Sequence, residues 1–175
     1  VTRYGLFADA GVLTDLTPYF DADPLKDELY DYAREIGVIG DKNYIVPFNS
    51  STPVLYYNKD ILAQAGIEGE PALKTFDDIM TVAETVTSQL GSQGITGIAA
   101  PGQFARWGLV MANGSDLVDA TSGEILLDNP KTIEAYQWMA SLVHDKQVAS
   151  ADGVTEEDNG RDAFLAGKVG IMFNS

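Results

Sequence analysis

Apolar positions in this chain alternate between helical spacing and short unbroken runs, a succession that predicts an α/β fold. The clearest helix covers residues 75–90. Phe76, Ile79, Met80, Ala83, Val86 and Leu90 line one face of it, and Thr75 with Asp78 makes a capping box. At residues 129–144, Asn129 caps a second helix and Pro130 takes its first position. Its expected core face is Ile133, Tyr136, Met139, Leu142 and Val143. Asp23-Pro24 reads as another helix start, with Leu25, Leu29, Tyr32, Ala33 and Ile36 on one face. Shorter helices are expected at 59–65, closed by Gly66, at 104–113, ended by Gly114, and at 159–166. Residues 4–10 read as the end of a helix, and 12–20 as an extended turn ending near Pro18. Strands are expected at 44–48, 53–57, 95–100, 124–127 and 167–175, and residues 151–158 as an acidic loop.

The 175 residues suit one ordinary domain, or one domain with part of another. A hydrophobic fraction of 45% belongs to a globular chain. No run approaches the roughly 20 apolar residues of a membrane span. The chain opens at Val1 without a leader pattern and stops on an apolar strand, GKVGIMFNS. It therefore reads as a truncated piece of a longer protein.

Charge and inventory narrow the chemistry. Eleven basic against 26 acidic residues give a net charge of −15, which argues against nucleic acid and disfavours an anionic membrane as partner. Without cysteine, disulfides, thiolate metal sites and cysteine nucleophiles are impossible. The single histidine, His144, falls in the last turn of an expected helix, where it complements the helix dipole. No nucleophile elbow, P-loop or dinucleotide fingerprint is present. Asp77 and Asp78 are explained by capping. Glu156, Glu157 and Asp158 depart from calcium-loop spacing, and Asp21 with Asp23 suggests a loop. No metal, cofactor or catalytic residue is expected, although a glycosidase carboxylate pair needs only proximity in space and stays open. Asn49-Ser50-Ser51 and Asn113-Gly114-Ser115 match the glycosylation triplet, which is common by chance.

The most informative run is PFNSSTPVLYYNKDILAQAGI, residues 47–67. A polar insert of Ser50, Ser51 and Thr52 lies between two apolar runs. Its hydroxyls and backbone N–H groups suit a hydroxylated solute or an anion, or they merely satisfy their own backbone. The run resembles the signature of family 1 extracellular solute-binding proteins, the group of the maltose- and glycerol-3-phosphate-binding proteins. Tyr56-Tyr57-Asn58-Lys59-Asp60 and Ala65-Gly66 carry the likeness. Lys74-Thr75-Phe76-Asp77-Asp78, the helix DNPKTIEAYQWMASLV and the strand DAFLAGKVGIMF follow in the family's order.

That resemblance implies a periplasmic-binding-protein-like fold with solute held between two hinged lobes. Residues 1–46 would end lobe one, and 47–175 would form most of lobe two. The glycerol-3-phosphate subgroup is the most similar and implies ligand contact from Ser50 or Ser51, with Thr52 beside them. That subgroup's tryptophans are not matched one for one here. Phe104 and Trp107 stand in the region, to stack on a solute or to pack in the core. Trp138, in mid-helix, reads as structural. Asn174 and Ser175 are further ligand candidates. The implied role is the binding component of an ABC importer that hands solute to membrane permease subunits. It implies a monomer, periplasmic or extracellular, anchored as a lipoprotein in the full-length parent. A glycosidase, or a surface sensor or adhesin on the same fold, is the alternative.

Overall fold

The computed structural model describes residues 4–119, 121–149 and 160–175. The run holding Glu156, Glu157 and Asp158, with the expected helix start at Asn159, lies outside the described residues. The chain divides into two compact units, Val1–Ser51 and Thr52–Ser175.

In the first unit, helices α1 (Tyr4–Asp9), α2 (Thr17–Ala22) and α3 (Asp31–Glu35) accompany a hairpin of β1 (Val38–Ile39) and β2 (Lys42–Asn43). Three expectations are corrected here. The segment ending near Pro18 is not an extended turn, because Pro18 sits in the first turn of α2. The Asp15 carboxylate accepts the Thr17 N–H at 2.9 Å just ahead of that helix. Asp23 does cap, accepting the Leu25 N–H at 2.9 Å. What it starts is a single 3₁₀ turn, and the chain extends through Leu29 and Tyr30 before α3. The long helix fails because its apolar stripe finds nothing to cover it. Leu25, Tyr32 and Ile36 are 60%, 59% and 51% exposed, and short helices draw their stability from packing. Residues 44–48 likewise form no strand. Pro47 cannot donate to a ladder, and Phe48 is almost fully exposed.

The second unit follows the sequence pattern closely. It runs β3 (Val54–Tyr57), α4 (Lys59–Gln64), α5 (Phe76–Leu90), β4 (Thr96–Ile98), α6 (Gln103–Ala112), α7 (Pro130–His144), α8 (Arg161–Leu165) and β5 (Val169–Asn174). The sheet order is β3-β5-β4, with β5 antiparallel to β3 and parallel to β4. The central strand β5 is buried from Val169 to Met172, as expected of a strand covered on both faces. Asn58 of the Tyr-Tyr-Asn-Lys-Asp motif caps α4, its side chain accepting the Asp60 and Ile61 N–H groups at 3.0 and 3.1 Å. The capping box of α5 is present in full.

Its stripe of Ile79, Val82, Ala83, Val86 and Leu90 packs into one core with Ile61, Leu62, Ile98, Leu142 and Ile171. Phe76 and Met80 are partly buried at its edge. On α7 the buried face is Thr132, Ala135, Met139 and Leu142, while Ile133 and Tyr136 remain exposed. Met139 and Leu142 are buried as expected and Val143 packs against the core, while at the start of the helix the buried face falls one position earlier, where Thr132 makes a buried hydroxyl pair with Ser115 at 2.8 Å. A polar anchor of that kind is invisible to hydrophobic periodicity. Residues 124–127 form no strand. Ile125 makes an isolated bridge to Val118, and both Ile125 and Leu127 lie exposed with no sheet to cover them.

Helix α5 lies so close to the sheet that a Cβ on Gly97 would stand 2.1 Å from the Ala83 carbonyl oxygen. Gly97→Ala should therefore cost on the order of 3 kcal/mol through overpacking. Gly108→Ala, whose Cβ would meet Pro53 at an ordinary 3.7 Å, should cost nothing. Urea unfolding of the two variants, followed by circular dichroism, reads the difference.

The α5 cap also gives a pH dependence. Asp78 is held below the usual carboxylate range, chiefly by the hydrogen bond from the Thr75 side chain, aided by the Thr75 and Lys74 N–H groups. A depressed folded value means that the stabilisation is complete above pH ~4 and is lost as pH falls further. Asp78→Asn should lower stability at neutral pH and flatten its decline below that point, measured as melting temperature against pH.

Candidate functional site

The site candidates of the second unit gather at one end of its sheet. Antiparallel pairing sets Val54 opposite Asn174, so the start of β3 meets the end of β5. Parallel pairing of β4 with β5 brings the end of β4 to the same side, and the Ala99 N–H donates to the Ile171 carbonyl at 2.8 Å. Helix α6 leaves from there, starting at Gly102. Thr52, Asn174, Ser175 and the first turns of α6 thus share the carboxyl end of the parallel strands, where α/β sheets receive their ligands. The entry to β3 lies beside α6, since a Cβ added to Gly108 would meet Pro53 at 3.7 Å.

Around this end the side chains are hydroxyl, amide and aromatic. Thr52 and Ser175 are exposed. Asn174 is half-buried, and its side-chain oxygen accepts the Ser175 N–H at 2.8 Å. Phe104 is exposed and Trp107 half-buried. Their rings meet edge to face at 5.6 Å and 79°, so neither covers the other's broad face. Ser50 and Ser51 close the first unit and are exposed.

Trp138 behaves differently. It stacks on Phe76 at 4.4 Å and 13°, and it packs against the cores on both sides of α7. Its Nε1–H is buried with no hydrogen-bond partner among the described residues. It belongs to the packing, as the sequence suggested.

The titratable groups with displaced values are occupied elsewhere. Asp119 is lowered by the N–H and hydroxyl of Ser122 and the N–H of Thr121, which close a turn. Glu134 is lowered by Lys131 and Asn113. Lys146 is raised by its hydrogen-bonded ion pair with Glu84 at 2.7 Å. Each has a structural partner on the surface, and none is among the candidates at the sheet end. Among the described residues no cluster of three His, Cys, Asp or Glu side chains is arranged to hold a metal ion. His144 ends α7. Asn113 donates to the Lys131 carbonyl at 2.8 Å. A cleft of about 470 Å³ between α5, α6 and α7, floored by Leu55 and Phe173, is lined by none of the candidates.

The model of the bacterial extracellular solute-binding protein family matches residues 1–175. The chain belongs to that family. The sn-glycerol-3-phosphate-binding periplasmic protein of Agrobacterium fabrum is 28% identical over 135 residues, covering 74% of this chain and 30% of that protein. The maltotriose-binding protein of Pyrococcus abyssi is 29% identical over 171 residues, 97% of this chain and 35% of that one. Among solved structures, the ABC substrate-binding protein Lmo0181 of Listeria monocytogenes, in complex with cycloalternan, superposes with a TM-score of 0.81 at 25% identity. That match covers 96% of this chain and 44% of that one.

The chain thus spans about a third of the length of these curated relatives. Its fold is periplasmic-binding-protein-like, and members of the family are extracellular binding proteins. No helix among the described residues is long and apolar enough to cross a membrane.

Proposed function

We propose that this chain is part of a two-lobed receptor that captures a carbohydrate or glycerol-phosphate solute and delivers it to an ABC permease. In this reading residues 1–46 end lobe one and 47–175 form most of lobe two. The observation that carries it is the convergence of Thr52, Asn174 and Ser175 with the aromatic start of α6 at the carboxyl end of β4 and β5. Ser50 and Ser51 carry hydroxyls of the kind that bind sugars or phosphate oxygens. Relatives named for glycerol 3-phosphate and maltotriose, and the structure solved with cycloalternan, support this range of ligands.

The receptor binds and does not catalyse. The carboxylates with displaced values serve caps, turns and ion pairs, which leaves the glycosidase reading without its acid pair among them. The receptor works as a monomer outside the cytoplasmic membrane, tethered there as a lipoprotein, with closure of the lobes burying the solute from both sides.

Tryptophan fluorescence of the full-length receptor, titrated with glycerol 3-phosphate, glycerophosphocholine and a set of oligosaccharides, tests this. A saturable change is expected with at least one solute. Ser50→Ala or Ser51→Ala should weaken that binding about tenfold, the usual effect of losing one ligand hydrogen bond. Silence across the whole panel would overturn the assignment.

A further inference from the structure

Where α6 ends, polar contacts tie it to the start of α7. Asn113 closes the helix, and its side-chain NH2 group donates to the Lys131 carbonyl at 2.8 Å and to Glu134 Oε2 at 3.2 Å. Ser115 makes the buried hydroxyl pair with Thr132. Between them the chain reverses through Gly114 at φ 88°. The Gly114 N–H donates to the Met111 carbonyl at 3.0 Å, and the Ser115 N–H to the Val110 carbonyl at 3.3 Å. That pair of bonds is a Schellman cap, whose left-handed position calls for glycine.

The same glycine makes the corner chemically labile. An asparagine followed by glycine is open to attack by the next backbone nitrogen, because no side chain shields that nitrogen. Gly114 is exposed, and nothing lies within 4 Å of the place a Cβ would take. In the reaction the Gly114 nitrogen releases its proton to solvent and bonds to Asn113 Cγ. The Cγ–Nδ2 bond breaks, the leaving nitrogen takes up a proton and departs as ammonia, and a cyclic imide remains. Water then opens either ring C–N bond, giving aspartate or isoaspartate.

In the folded corner each participant is held out of position. The Asn113 ψ of 1° eclipses the Gly114 nitrogen with Asn113's own nitrogen, roughly a third of a turn from Cβ, whereas ring closure needs it in line with Cβ. The Gly114 N–H and the Asn113 amide are both engaged in the bonds just described. We infer that Asn113-Gly114 is a modification site gated by this corner: it deamidates when the junction of α6 and α7 opens, and the product keeps the junction open. Glu134 supplies the latch. Its carboxylate is held below the usual range by Lys131 first and by the Asn113 amide after it. A carboxylate at position 113 therefore meets a like charge where a donor stood, and it has nothing to offer the Lys131 carbonyl. Lys131 is already bonded to Glu134 at 2.7 Å. Release here frees the far end of the helix whose first turns carry Phe104 and Trp107.

The full-length receptor is incubated at mildly alkaline pH in buffer and in urea, and peptide mapping by mass spectrometry with isoaspartate detection follows Asn113. Conversion should be about tenfold or more slower in buffer than in urea, because the reactive form is the locally opened one. Glu134 is exposed, so the fold does not depend on it. Glu134→Ala should speed conversion in buffer about fivefold, the effect of one hydrogen bond on the opening equilibrium, and leave the rate in urea unchanged. Asn113→Asp should lower the melting temperature more than Asn113→Ala does, and that excess should vanish in the Glu134→Gln background.

Equal rates in buffer and urea, or a Glu134→Ala rate equal to wild type in buffer, would overturn the gate. An Asn113 that stays intact in urea would overturn the modification itself. Equal losses of melting temperature in Asn113→Asp and Asn113→Ala would overturn the latch.

Discussion

The close approach of α5 to the sheet is the constraint on which the second unit depends. Gly97 lets the α5 backbone sit directly on β4. A Cβ on Gly170 of β5 would press on the Gly97 carbonyl oxygen at 2.9 Å and on Val86 at 3.3 Å. The Gly97 N–H, lying under the helix, is satisfied by the Thr87 hydroxyl at 2.9 Å, so the contact is polar as well as steric. With α5 seated, Ala83 and Val86 close over Ile98 and Ile171, all fully buried, and β5 is fixed between its neighbours. The register of β3 and β4 on β5 then decides what stands at the carboxyl end of the sheet. Thr52, Asn174, Ser175 and the start of α6 meet there because of that packing and register.

Legibility in the sequence divides along the same line. In the second unit α4, α5, α6 and α7 have buried faces, and periodicity located them. Caps at Asn58, Thr75 and Asn129 appear as the residue types demanded. Failures there came from polar anchors, such as the Thr132–Ser115 pair at the start of α7, and from the apolar run at residues 124–127 with no sheet to join. In the first unit the same rules located Asp23 as a cap and then overran. Periodicity implies a helix only where something covers the stripe, and the helices of that unit bury none of their residues. The Thr17-Pro18 start of α2 carried the same signal as Asp23-Pro24 and Asn129-Pro130, but the extended-turn reading of the flanking residues masked it.

The candidate site was legible through motif more than through chemistry. Nothing in the residue types of Thr52, Asn174 or Ser175 marks them as neighbours, and it takes the antiparallel register of β3 on β5 to join them. Phe104 and Trp107 were separable from Trp138 by position alone. Trp138 lies beside the core face of α7, and the structure gives it a ring partner in Phe76 and no open surface at its buried Nε1.

Where the negative charge sits explains how an acidic chain keeps such a site. Carboxylates stand in the first turns of α4, α5 and α8, where they complement the positive end of the helix. Others are engaged by Lys131 and Lys146. Helix α6 is different: it begins at Gly102 with no acid in its first turn and no side-chain cap. Within a screened distance local groups outweigh the global field, so the net −15 does not by itself set the potential at that end of the sheet. An acid-free helix start tolerates neutral and anionic solutes alike, so electrostatics does not choose between a sugar and a glycerol phosphate.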